Sequence, residues 1–361
     1  MHPVTPHRQH IPALDGLRGL AILMVVVYHN FDFTHYFFFG WMGVDLFFVL
    51  SGFLITDILL KSVNQPHFLR NFYIRRVLRI FPLYYLTLGL FLLLLPRYFS
   101  QLQVSYYLDN QVWLWTYLQN WLYSFKNPDQ YNLLNHFWSL AVEEQFYMVW
   151  PLLILLLKKP RYLLMVIGAV LLCVIGFRIW IWNNQVPDLA YFNLYTFTRI
   201  DGICIGSMIA LLQRIKPKFL ENYMSLVVLL FAGFNFLFYF INSSNQYSFP
   251  YLAIAGYTTF AMVFGLLVNE AAAGDNKLMN AVFTISPLRF LGKISYGLYI
   301  FHWPVYVLLT PYLYRLFSGT LQGQPLSLAM ALTATILSVA ISWLSFQYFE
   351  RYFLRLKDRF I

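Results

Sequence analysis

Runs of apolar residues, each near the roughly 20 that a helix needs to cross a hydrocarbon core, follow one another along the chain and are parted by short polar segments. They predict helices over 12–30, 40–60, 80–96, 137–157, 162–183, 194–213, 223–242, 250–270, 290–311 and 326–348. The stretch 111–125, with its run VWLWTYLQNWLYSF, is too short to span comfortably and is rich in Trp and Tyr, which favour membrane interfaces. It is expected as an interfacial or re-entrant helix on the outer side. The expected fold class is all-α: a polytopic membrane helix bundle of about ten transmembrane helices in one integral membrane domain over 1–361.

Composition agrees with the pattern. The chain is 60% apolar, 20% aromatic and 11% charged, with mean hydropathy +0.58, whereas soluble domains are about 25% charged. The leading MHPVTPHRQH is polar, and the apolar run after it is not followed by a small-residue cleavage site, so no cleavable signal is expected. Cys173 and Cys204 both fall in apolar runs, which indicates neither a metal site nor a disulfide framework. The net charge of +10 is scattered between apolar spans, a better match to cationic loops on one side of a membrane than to a nucleic-acid partner. With the N-terminus inside, twenty of the 25 basic residues fall in inner segments. Outer loops hold Arg97, Lys126 and Arg315, and Arg178 and Arg199 lie within spans. Both termini are therefore expected in the cytoplasm, with residues 97–136 outside.

Candidate chemistry comes from ionisable residues inside the spans. Arg18 and His29 stand eleven residues apart on the first helix, roughly 16 Å of rise and close to three turns, hence near one face. Projected on the same topology, His29, Asp45, Glu143, Glu144, Arg178, Arg199, Asp201 and His302 gather at comparable depth. Each costs about 2.5–3.5 kcal/mol in hydrocarbon, so a wet cavity is expected there, in preference to packing pairs such as Arg199 with Glu143. At the inner face, Arg75, Arg76 and Arg79 form a second group, with Arg75 and Arg79 on one helix face. Charge alone does not separate a phosphate site from topology signals or attraction to anionic lipid head groups.

Six stretches in order along the whole chain resemble the integral membrane acyltransferase family three: LDGLRGLAILMVVVYHN, GVDLFFVLSGFLIT, FYIRRVLRIFPLYY, FWSLAVEEQFYMVWPL, TRIDGICIGSMIALL and LGKISYGLYIFHWPVY. One departure is Phe349-Glu350-Arg351-Tyr352, where family members usually carry a proline; it leaves the local helix end open.

The resemblance implies an O-acyltransferase, most often an O-acetyltransferase, of a bacterial inner membrane. It implies acyl-CoA, here acetyl-CoA, as donor substrate, with no permanently bound cofactor. Arg18, Arg75, Arg76 and Arg79 would bind the donor's phosphates, and His29 would act as general base or, less favoured, carry the acyl group. Glu143 would orient His29 or the sugar. Asp45, Arg178, Arg199, Asp201, Tyr296 and His302 would bind the acceptor or line the cavity. Gly43, Ser51 and Gly52 read as architecture that lets backbones approach. The acceptor implied is a lipid-linked or cell-surface polysaccharide such as lipopolysaccharide O-antigen, and the membrane domain is expected to complete the transfer alone. Two alternatives stand beside this reading: acylation of a small molecule such as a macrolide, and a non-enzymatic polytopic transporter.

Overall fold

The computed structural model describes residues 11–34, 36–98, 105–126, 133–184, 194–215, 230–233, 235, 237, 256–274 and 276–360. Among them there is no strand. Six helical stretches among the described residues are long and apolar enough to cross a membrane: Pro12–Asn30, Phe39–Ser62, Phe68–Arg97, Asn135–Leu157, Pro160–Asn183 and Gly323–Lys357. The chain is an all-α polytopic membrane protein.

Local sequence explains where the helices start and stop. A proline in the first turn, Pro12, opens α1 (Pro12–Asn30), where a missing N–H costs nothing. After α2 (Met42–Ser62) the third helix, expected at 80, begins twelve residues earlier, as α3 (Phe68–Gly89), and continues through a π turn at Leu90–Leu94. Hydropathy had hidden this first half because it carries the arginines.

The stretch 111–125 is two short helices, α4 (Gln111–Trp115) and α5 (Gln119–Phe125), instead of one. Tyr117 takes a left-handed φ of 56°, and the Leu118 N–H donates to the Trp113 carbonyl at 2.8 Å while that of Tyr117 donates to Leu114. This is the Schellman ending that usually uses glycine. The break sits against the bundle interior: Tyr84 Oη donates to Leu114 O at 2.7 Å, and Gln145 Nε2 donates to Tyr117 O at 2.8 Å. Non-helical backbone at membrane depth needs such protein partners.

Next come α6 (Trp138–Leu157) and α7 (Pro160–Asn183), again opened by proline. The expected helix 194–213 is divided at Ile200 into α8 (Thr196–Arg199) and α9 (Asp201–Ile215). The expected helix 223–242 falls mostly outside the described residues. The expected 250–270 is seen as α10 (Tyr257–Ala273), ending at Gly274 with φ 77°. A short helix that hydropathy did not suggest, α11 (Lys277–Phe283), is capped by Asn276, whose side chain accepts from Leu278 N and Met279 N.

The expected 290–311 is much longer: α12 (Ser286–Phe317) has 32 residues. Finally α13 (Gly323–Ser345) passes through a π turn at Phe346–Glu350 into α14 (Arg351–Lys357). With no proline after Glu350 to stop it, the last helix runs on beyond 348.

Packing is closest where glycines remove the side chain. A Cβ added to Gly19 on α1 would sit 1.9 Å from the Leu288 carbonyl oxygen on α12, and one on Gly292 would sit 1.9 Å from the Asp15 carbonyl oxygen. α2 and α9 meet in the same way through Gly52 and Gly206. Residues of α1, α2, α3, α6 and α12 line one interior space.

Candidate active site

A cavity partly open to solvent lies among these five helices. One end carries cations: Arg18 from α1, Arg76 and Arg79 from α3. Arg18 lies 3.4 Å from Asp15. Among the described residues, Arg76 and Arg79 have no carboxylate oxygen within 4.0 Å. Arg76 rests instead over the rings of Phe72 and Tyr147, 5.7 Å and 5.4 Å from their centroids. Arg75 is not among the lining residues.

Deeper in the cavity stand Glu143 and Glu144. Glu143 is held by two hydroxyls, Ser51 Oγ at 2.8 Å and Tyr147 Oη at 3.2 Å. Glu144 is buried, and its Oε1 has no hydrogen-bond partner. Such an atom carries the full desolvation cost of a lost hydrogen bond, so it is available to a donor group entering the cavity. Tyr296 lines the wall, its hydroxyl donating to Ile80 O at 2.6 Å.

Ser139 and Tyr299 also line the cavity, with hydroxyl oxygens 2.5 Å apart. Tyr299 Oη donates to the His136 carbonyl at 2.7 Å. Around this pair lie three histidines. The His136 and His302 rings are 5.1 Å apart, and those of His302 and His29 are 5.0 Å apart. His302 Nε2 and His29 Nδ1 approach to 3.3 Å. His136 and His302 are buried, whereas His29 is partly exposed beside Trp303. Against expectation His302 does not line the cavity, nor do His29 and His136, and all three stand behind the Ser139–Tyr299 wall.

Three sequence expectations change here. Glu143 does not orient His29; its partners are Ser51 and Tyr147, and His29 instead meets Val25 O and His302. Asp45, Arg178, Arg199 and Asp201 do not line this cavity. They are two buried ion pairs, Arg178–Asp201 at 2.9 Å and Arg199–Asp45 at 2.7 Å, with Arg178 also donating to Thr258 and to the Thr198 carbonyl. Arg199 therefore pairs with Asp45, not with Glu143, and its guanidinium lies 3.8 Å from the Tyr257 ring centroid. Ser51 is part of the site as well as of the helix contact.

Sequence reasoning placed Glu144 in the polar layer without giving it a role, and left out Tyr147, Ser139, Tyr299 and His136 as site residues. A signal was present for two of them: Ser139, Glu143 and Tyr147 recur every four residues, one stripe of α6. His136 precedes that helix in a segment read as an outer loop, and only the fold brings it to Ile300 O and His302.

The family model described as an acyltransferase domain matches residues 11–346. The chain is 33% identical over 326 residues to the peptidoglycan O-acetyltransferase OatA of Listeria monocytogenes, covering 85% of this chain and 51% of that protein. It is 31% identical to the putative peptidoglycan O-acetyltransferase YrhL of Bacillus subtilis, covering 86% and 51%. Against the O-acetyltransferase OatA of Staphylococcus aureus it is 30% identical, covering 84% and 52%. The chain thus spans about half the length of the curated relatives it matches. No solved structure matches it.

Proposed function

Since the chain belongs to this membrane acyltransferase family, we propose that it transfers an acetyl group from acetyl-CoA to a hydroxyl of a cell-surface glycan. The observation that carries the reading is the cavity's asymmetry: Arg18 beside Arg76 and Arg79 at one end, the latter two with no carboxylate oxygen within 4.0 Å among the described residues, an acidic pair in its depth, and hydroxyls beside histidines at the other. Guanidinium groups bind phosphate oxygens through paired N–H donors. Arg76 and Arg79, with Arg18, suit the phosphates of coenzyme A, and the cavity gives the pantetheine arm a path toward the histidines.

The transfer is written as follows. His29 takes the proton of the acceptor hydroxyl, and the hydroxyl oxygen attacks the thioester carbonyl carbon. The carbon–sulfur bond breaks, the ester remains on the glycan, and coenzyme A leaves as the thiol with the proton from His29. Relatives named for peptidoglycan favour a cell-wall glycan as the acceptor; a lipopolysaccharide O-antigen is the other glycan of the same chemistry.

Purified protein in nanodiscs is given acetyl-CoA with a peptidoglycan oligosaccharide or with an O-antigen oligosaccharide. Free thiol and acetyl mass on the glycan are measured. Thiol release that depends on one glycan is expected, and His29→Ala should lower it about 10²–10⁴-fold while acetyl-CoA binding and thermal stability persist. No glycan-dependent thiol release, with solute uptake into proteoliposomes instead, would overturn the enzyme reading in favour of transport.

A further inference from the structure

We infer that His302 is a positioning residue for His29, accepting the His29 Nδ1 proton on its own Nε2 and so leaving the His29 lone pair on Nε2. This rests on the reading of His29 as general base. The inference follows from counting donors and acceptors, since ring protons are assigned from the hydrogen-bond network.

His302 Nδ1 lies 2.8 Å from the Tyr299 carbonyl oxygen and 3.1 Å from that of Leu298. Carbonyls only accept, so this nitrogen carries a proton. A second proton on Nε2 would make a buried, uncompensated cation, which is costly. The neutral ring therefore presents a lone pair at Nε2.

His29 Nδ1 faces that lone pair at 3.3 Å and the Val25 carbonyl oxygen at 2.9 Å. Both neighbours are acceptors, so the proton sits on Nδ1 and is shared between them. The opposite tautomer would set three lone pairs against one another. The free edge of His29 is then basic Nε2, and when it takes the hydroxyl proton, the new positive charge is met by two acceptors on the far side of the ring. His302 is held in turn by α12, whose Leu298 and Tyr299 carbonyls fix its orientation, and α12 is locked to α1 by the glycine contacts at Gly19 and Gly292.

The test uses the full chain in nanodiscs, labelled with [15N]histidine, with His29→Ala identifying the His29 resonances by difference. Wild-type His29 should show a protonated Nδ1 and an unprotonated Nε2. His302→Phe keeps a ring in the buried site but removes one of the two acceptors of His29 Nδ1, leaving the Val25 carbonyl. It should mix the His29 tautomers and lower kcat about 10- to 100-fold, the usual effect of losing a second-layer orienting group, with KM for acetyl-CoA unchanged. His302→Gln, whose Oε1 can accept, should restore the tautomer and most of kcat. A wild-type spectrum with the proton on Nε2 overturns the inference, and that arm needs no variant at 302 to fold. Equal losses in the Phe and Gln variants, or an unchanged tautomer in the Phe variant, overturn it too. If His29→Ala keeps wild-type turnover, the general-base reading fails separately, while the spectra still decide whether His302 sets the tautomer.

Discussion

The arginines of the interior divide into two kinds by what faces them. Arg178 and Arg199 each meet a buried carboxylate within 2.9 Å, so they hold helices together. Removing one partner leaves an uncompensated charge, which costs about 3–5 kcal/mol. Asp201→Ala should therefore lower the melting temperature in detergent sharply, and any loss of turnover should follow the loss of folded protein. Arg76 and Arg79 line the cavity and, among the described residues, have no carboxylate oxygen within 4.0 Å. Replacing either with Gln should weaken acetyl-CoA binding by about 10- to 100-fold, the worth of a charged hydrogen bond of about 1.5–3 kcal/mol, with the melting temperature nearly unchanged. Arg75→Gln should do much less, because Arg75 is not on the cavity wall. Isothermal titration on each variant checks the contrast. Sequence could show that ionisable groups share a depth, because depth follows from rise along a helix. It could not show that Arg199 finds Asp45 rather than Glu143, since that pair spans 154 positions of chain. Nor could it tell a paired arginine from one left for a ligand.

Helices α1 and α12 act as the frame of the site, one carrying Arg18 and His29, the other Tyr296, Tyr299 and His302. Their separation is set by backbone touching backbone. Because a Cβ on Gly19 would overlap the Leu288 carbonyl oxygen at 1.9 Å, Gly19→Ala must push the two helices apart. Overpacking of this kind costs about 1–3 kcal/mol, and a displacement near 1 Å at a reacting centre costs about 10²-fold in rate. Both a lower melting temperature and lower kcat are expected. Gly168→Ala is the control: nothing lies within 4 Å of a Cβ there, so stability should hold or rise by about 0.5–1 kcal/mol. Unchanged turnover in Gly19→Ala would mean that the frame tolerates the shift. At this scale the apolar runs marked most of the helices but missed ends governed by other forces. The arginine-bearing start of α3 has too little hydropathy to register. The break at Tyr117 depends on carbonyl partners from α3 and α6 that no local pattern reveals. The run-on past Glu350 uses a π turn, which seats Glu350 against Ser345 Oγ at 3.1 Å.

Across the whole molecule, the direction of the site decides which side supplies each substrate. Arg18 near the start of α1, the end of α2 and the arginines of α3 share one end of the bundle, and His29 closes α1 at the other. Most of the chain's basic residues fall in the segments assigned to that arginine end. Cationic loops stay on the cytoplasmic side of a bacterial membrane, which is also where acyl-CoA is made. Gln65 lies in the exposed turn joining α2 to α3, and Lys126 follows α5. In a protein whose exposed Cys173 is replaced by Ser, a cysteine at Lys126 should react with a membrane-impermeant maleimide added to intact spheroplasts. One at Gln65 should react only after the membrane is opened. The opposite pattern would place the arginine end outside, away from acyl-CoA, and a donor reaching Arg76 and Arg79 from the cytoplasm would no longer be tenable.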